Sequence, residues 1–302
     1  MISRMYGYVR SRQLEGTFPG DPTTGTWMIT AMRVLRGWGA PLESDWPYDG
    51  NADHWPPPEP EGMDLLAKSR RIFAYQRVRN INDACRLLAS GTAVTIALEI
   101  SNEWHTTKDG DILNISDPRI GSHAVALIDY SIPEQIFKFR NSWGESWGDA
   151  GDGKFSFEYF EKHIIESWTD AMPEIICTTS REPGVTCATW GNESILGHKL
   201  HGIEFFNDRG ESNIAWSFLV ENENFLDIEE LFVRPEYRNQ KFGSKMINEI
   251  NLLSIKLNIP LRLIVSYCDE PKLRSDKYKS ILNKLNLKLY RSNIRWAPYF
   301  AV

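Results

Sequence analysis

Cysteine is scarce in this sequence. The four present, Cys85, Cys177, Cys187 and Cys268, form no Cys-x-x-Cys pair and no dense framework. That leaves neither a disulfide scaffold nor a metal-binding pattern to organise the fold. No apolar run approaches the ~20 residues that a membrane helix needs. The opening Met1-Ile-Ser-Arg-Met lacks the apolar core of a signal peptide. Positive charge is not in surplus either: 34 Lys and Arg stand against 40 Asp and Glu, for a net charge of −6. A phosphate-binding surface needs the opposite balance, so a nucleic-acid partner is not expected. Internal repeats and low-complexity tracts are missing too. These absences predict a reduced, cytoplasmic protein with no membrane or nucleic-acid partner.

What is present fits two domains. The chain has 302 residues, too many for one comfortable core, and its 42% hydrophobic and 25% charged content is that of a globular protein. Eight of the eleven tryptophans lie before residue 180, whereas Asn, Lys and Ile dominate after it. The polar "CTTSREPGVTC" (177–187), with Pro183 and Gly184, reads as a linker. The Pro-rich "WPPPEPEG" (55–62) reads as a rigid surface loop.

In the first half, "GTWMITAMRVLRGWG" (25–39) has Met28, Ala31, Met32, Leu35 and Trp38 at helical spacing. "DACRLLASG" predicts a second helix and "TAVTIALEI" a strand. "HAVALIDY" and "IFKFRNSWG" read as two strands joined at Pro133, and "GKFSFEYF" as a third. Short helices followed by strands predict an α+β domain.

Two residues here suggest chemistry. A histidine becomes a competent base when a fixed acceptor holds its second ring nitrogen, and an asparagine oxygen does so without adding charge. His123 and Asn141 have those types, with Trp143 and Trp147 beside them to exclude water. "GSHAVALIDY" followed by "FKFRNSWGESWGDAGDGKFSF" resembles the C-terminal half of papain-like cysteine peptidases. The resemblance extends upstream through "SRMYGYVRSRQLEG" and "TTGTWMITAMRVLRGWGAPLESDWPY", covering roughly residues 1–178. It implies that His123 is the catalytic imidazole, Asn141 its orienting amide and Trp143 the shielding indole. In the family an oxyanion-hole glutamine and a Cys-Trp pair precede this region. Neither occurs here in that context, so the resemblance implies a truncated papain-like domain. Its nucleophile helix would come from upstream sequence or from a companion chain, or its catalysis has been lost.

Residues 196–302, beyond the linker at 179–195, read as alternating strands and helices on a central sheet. "KLHGIEFFND" and "NIAWSFLVEN" form a hairpin, "FLDIEELFV" a third strand, and "FGSKMINEINLLSIKLN" a helix with Met246, Ile250, Leu253 and Leu257 on one face. "LRLIVSY", "SDKYKSILNKLN", "LKLY" and "IRWAPYF" continue the alternation. A strand leading through a Gly-containing loop into a helix makes an anion site. "VRPEYRNQKFGSK" resembles the acyl-CoA motif of GNAT acyltransferases, which implies a mixed α/β GNAT domain binding acetyl-CoA or another acyl-CoA. Leu231, Phe232 and Val233 would meet the pantetheine arm. Arg238, Asn239, Gln240, Lys241, Phe242, Gly243 and Ser244 would wrap the pyrophosphate, although Lys241 replaces the motif's middle glycine. Asp227 and Glu229, on one face by the period of two, are candidate bases, and Tyr278 is a candidate acid. The family's N-terminal helices are short or absent, so the papain-like half is expected to wall the acceptor groove in their place.

These readings predict an acyl-CoA-dependent N-acyltransferase whose papain-like module recognises a peptide or protein substrate without cleaving it. The alternative is a cysteine peptidase with a nucleophile outside this sequence and an accessory GNAT domain. A second alternative is a non-catalytic binding protein.

Overall fold

The computed structural model describes residues 1–113, 119–171, 176–182, 185–193, 196, 198–207, 213–264, 283, 288–290 and 299–301. They divide into two compact units, Met1–Ala74 with Ala171–Val302, and Tyr75–Asp170. Among the described residues no helix is long and apolar enough to cross a membrane. Helix α1 (Arg4–Glu15) starts where the Ser3 side chain accepts from the Tyr6 N–H and stops at Gly16, whose φ of 72° is left-handed. It buries Met5, Tyr6 and Val9 against Val34 of α2 (Met28–Gly37), Trp46, and Met63 and Ala67 of α3 (Met63–Ala67).

The unit Tyr75–Asp170 is built on a seven-stranded sheet. Its elements are β1 (Ala74–Arg77), α4 (Ile81–Ala89), β2 (Val94–Ile100), α5 (Glu103–Thr106), β3 (Ile112–Leu113), β4 (Gly121–Ser131), β5 (Ile136–Arg140), β6 (Asp152–Ser156), α6 (Phe157–His163) and β7 (Ile164–Ala171). The strand order is β1-β7-β2-β4-β5-β6-β3. Buried and half-buried residues alternate strictly along β2, so Val94, Ile96, Leu98 and Ile100 line one face. One expectation needs correcting. "GKFSFEYF" is a strand only to Ser156, whose side chain then accepts from the Tyr159 N–H and starts α6.

The chain then forms β8 (Ile176–Glu182), β9 (Val185–Glu193), β10 (Lys199–Asn207), β11 (Asn213–Glu221), β12 (Leu226–Val233), α7 (Phe242–Leu257), β13 (Leu261–Ile264), β14 (Lys288–Tyr290) and β15 (Tyr299–Ala301). These strands make an eight-stranded sheet in the order β14-β15-β13-β12-β11-β10-β9-β8. The segment expected as a linker is therefore mostly sheet: β8 pairs antiparallel with β9, and β9 with β10 from Val185 to Glu193. Backbone pairing makes these strands, and their polar Thr and Ser side chains hid them. The helix expected over 275–286 lies outside the described residues, apart from Asn283.

Each face of this sheet has its own cover. On one, Met246, Ile247 and Ile250 of α7 pack on Ile203, Phe205, Ala215, Leu219 and Ile228. On the other sits α2. Arg33 donates to both carboxylate oxygens of Glu230, at 3.0 Å each. Arg36 pairs with Glu204, and the Trp190 Nε1–H donates to that same carboxylate at 2.9 Å. The Arg36 guanidinium lies over the rings of Trp216 and Phe73. Arg234 stacks on Trp38, 4.3 Å from the ring centroid, and Gly37 leaves room for Trp216, which would stand 3.1 Å from an added Cβ. The first 74 residues and the C-terminal sheet thus share one interior, held by buried ion pairs as well as apolar contact.

Candidate functional site

His123 lies on β4 and Asn141 directly follows β5, so antiparallel pairing of the two strands brings the side chains together. His123 Nε2 stands 2.8 Å from Asn141 Oδ1. The Ser142 backbone N–H also donates to that oxygen, at 2.7 Å. A backbone N–H can only donate, so the shared atom is the amide oxygen. The imidazole must therefore carry its proton on Nε2 and present a lone pair at Nδ1. Asn141 is buried, and its own N–H donates to the Gly151 carbonyl at 2.9 Å. The amide is fixed by the turn that follows β5.

Aromatic rings surround the pair. The Trp143 ring centroid is 4.7 Å from that of His123, and Trp104 meets the imidazole edge-on at 6.0 Å. Trp104 is fully buried. Its indole stacks on Phe139 and Trp147 and donates to the Tyr159 hydroxyl at 3.0 Å. Burial pulls the His123 pKa below its ordinary value of 6.5; the bond to Asn141 acts upward, and His105 acts further downward. A neutral, oriented imidazole at neutral pH can accept a proton at Nδ1. Trp104, which the sequence reading did not single out, is the packing centre of the site. Its signal was an indole in the short segment that follows strand β2, in a half rich in tryptophan.

The two described thiols, Cys85 and Cys187, do not join this site as nucleophiles. Cys85 is buried in α4, where burial pushes its pKa up, opposite to an activated thiolate. Cys187 is buried in the core beneath α7, in the other unit.

In the C-terminal sheet, β12 (Leu226–Val233) pairs in parallel with β13 from Leu226 to Ile228 among the described residues. Glu229 is the extra residue of a bulge: Phe218 opposes Glu230 and Leu219 opposes Ile228. The period of two that grouped Asp227 with Glu229 is therefore broken between strand partners. Asp227 is fully buried and receives two bonds from Arg262, at 2.5 and 2.8 Å, and one from Asn222. This carboxylate is thus engaged in a two-pronged ion pair inside the sheet. Glu229 is buried, and Glu230 is taken up by Arg33. Leu231 and Val233 pack against the core under α7, whereas Phe232 lies on the opposite face against Trp216. Arg238, Asn239, Gln240 and Lys241 are exposed, Gly243 and Ser244 half-buried, and Phe242 is core. Asn239 and Lys241 have positive φ, 67° and 64°, so Lys241 adopts the turn that glycine would favour. Tyr278 lies outside the described residues.

Residues 18–167, which hold the His123 site, match the papain family of cysteine proteases. This part of the chain has a papain-like fold. An uncharacterized peptidase C1-like protein of Acanthamoeba polyphaga mimivirus is 26% identical over 182 residues, 55% of this chain and 57% of that protein. The chain thus spans a little over half that relative's length. Xylellain, a cysteine protease from Xylella fastidiosa, superposes with a TM-score of 0.50 at 24% identity, covering 56% of this chain and 69% of its own. That likeness concerns the fold of the papain-like domain alone. An N-acetyltransferase from Thermoplasma acidophilum, solved with coenzyme A, reaches a TM-score of 0.28 over 34% of this chain at 19% identity, too little to carry any argument about the second sheet.

Proposed function

We propose that the chain supplies the base of a papain-like cysteine peptidase, with the nucleophilic thiol contributed by a segment preceding this sequence, and that the C-terminal sheet is an accessory domain. The observation that carries this reading is the His123 Nε2–H bond to an Asn141 oxygen already fixed by the Ser142 N–H. In this reading Nδ1 takes the thiol proton and the thiolate attacks the peptide carbonyl carbon. As the C–N bond breaks, the imidazolium returns that proton to the departing amine. Water then hydrolyses the thioester with the imidazole again as base. The test supplies what this sequence does not contain. The 302-residue chain alone should give no adduct with an epoxide probe for thiol peptidases. Extended upstream by a segment carrying the Cys-Trp helix, it should be labelled at that cysteine, and His123→Ala should abolish labelling. Equal labelling with and without His123 would refute the reading.

A second reading, acyl-CoA binding by the C-terminal sheet, is favoured by the run from β12 through the exposed 238–241 turn into the 16-residue α7, whose N-terminus has no side-chain cap. The first-turn N–H groups there suit a pyrophosphate. The residues present fit such a group in part, since Arg238 and Lys241 are exposed and cationic. Bound acyl-CoA would supply a thioester for transfer to an amine. A charge-assisted contact is worth ~1.5–3 kcal/mol, so Arg238→Ala should weaken acetyl-CoA binding by about tenfold or more. Calorimetry showing no binding to the folded wild-type chain would remove this reading.

A further inference from the structure

Helix α5 has only four residues, yet two consecutive ones touch the histidine site from different directions. Trp104 is buried and meets the His123 ring edge-on, whereas His105 is exposed and stacks on Trp143. The His105 and Trp143 rings are nearly parallel, 6° apart in plane with centroids 5.1 Å from each other. Trp143 in turn lies 4.7 Å from His123 and 6.3 Å from Trp104. Trp143 itself is only half-buried and follows β5 in a turn that also contains Gly144 at φ 90°. Trp147 meets this indole edge-on with centroids 5.7 Å apart, and His105 is the ring stacked parallel on it.

We propose that His105 is a positioning residue, whose stacked imidazole holds the Trp143 indole against His123 and so keeps water from the His123–Asn141 hydrogen bond. Its catalytic meaning rests on the peptidase reading; the contact itself does not. Two properties separate in this role. The ring face supplies the stack, which any flat aromatic side chain can reproduce. The charge, when His105 is protonated, adds attraction to the indole face and opposes protonation of His123. The groups acting on the His123 charge are Asn141 across the hydrogen bond and His105 from α5, with burial the largest influence.

The test uses the full chain and needs no thiol. Solvent exchange of the His123 Nε2–H proton, read by NMR, reports how well that bond is shielded. His105→Ala should speed exchange by about twofold to fivefold, the Boltzmann weight of one exposed ring contact. His105→Phe should restore the wild-type exchange rate. Both variants should move the His123 titration to higher pH, because both remove the opposing charge, and a merely structural residue would not split the two readouts in this way. Because His105 is exposed, the variants are expected to fold; if His105→Ala does not, His105→Gln, which keeps a polar side chain without the ring, takes its place with the same expectation. Unchanged exchange in the Ala or Gln variant, or failure of Phe to restore it, overturns the proposal. Failure of the peptidase reading would appear separately, as His123-independent epoxide labelling of the extended chain.

Discussion

Glu204→Ala is expected to destabilise the unit formed by Met1–Ala74 and Ala171–Val302 by about 3–5 kcal/mol, the usual cost of leaving one partner of a buried ion pair alone. Glu204 is 1% exposed and Arg36 is 4% exposed, so neither charge can be rescued by water without opening the interior. The substitution also strips the Trp190 indole N–H of its acceptor. Glu204→Gln keeps an acceptor for that N–H and for the guanidinium, so it should cost less. Replacing both partners, Arg36→Met with Glu204→Leu, should recover most of the loss, because the Coulomb attraction of such a pair is largely offset by its desolvation. Denaturant unfolding followed by tryptophan fluorescence, run as a double-mutant cycle, measures these terms. A Glu204→Ala cost below about 1 kcal/mol would mean that α2 does not seat on the sheet. The same geometry predicts that a fragment cut after residue 178 exposes Glu204, Glu230, Trp216 and Phe232 at once. The C-terminal half is then not an independent module, contrary to a simple two-domain division.

Trp104→Ala is expected to cost the Tyr75–Asp170 unit about 3–5 kcal/mol, as large-to-small changes of buried aromatics do. The indole is fully buried among Phe139, Trp147, Tyr159, Trp143 and His123, with centroids 5.1–6.4 Å away. Its removal empties the packing centre and leaves the Tyr159 hydroxyl without its indole donor, although that hydroxyl still donates to the Glu99 carbonyl at 2.7 Å. Water entering the space would relieve the burial that holds the His123 pKa down. The His123 titration should therefore rise toward 6.5, its ordinary value, in the same variant. Trp104→Phe keeps most of the volume and should show a fraction of both effects. Full stability in Trp104→Ala, by thermal or denaturant unfolding, would show that the cluster is not the core of this unit.

The sequence and the fold agree where local pattern decides structure. The alternation over 94–100 marks β2, and Met246 and Ile250, four apart, mark the buried side of α7. The His123–Asn141 pair was legible because two strands of one hairpin carry it, and hairpin geometry is local. Other features were not. Helix α1 has only Met5, Tyr6 and Val9 as buried apolar positions among polar neighbours, too sparse for a clear period. The strands over 176–193 are polar, and backbone pairing rather than apolar side chains defines them. The most consequential omission was the docking of α2. Arg33 and Arg36 find Glu230 and Glu204 across 197 and 168 residues, and no local pattern encodes such a pairing. A signal did exist. Two arginines three apart in a largely apolar helix, and glutamates within strands that are mostly hydrophobic, are charges that need partners once buried. The bulge at Glu229 likewise defeated the simple face assignment of Asp227, because one inserted residue reverses which side chains share a face.

The claim on which the functional account stands is that Asn141 fixes His123 as a base with its lone pair on Nδ1. Nitrogen-15 NMR of the imidazole, titrated in the full chain, measures this directly. The account predicts the Nε2–H form at high pH and a titration midpoint below the ordinary 6.5, with Asn141→Ala lowering it further because the lost bond acts upward. An Nδ1–H form, or a midpoint above 6.5 in the folded wild-type chain, would contradict it.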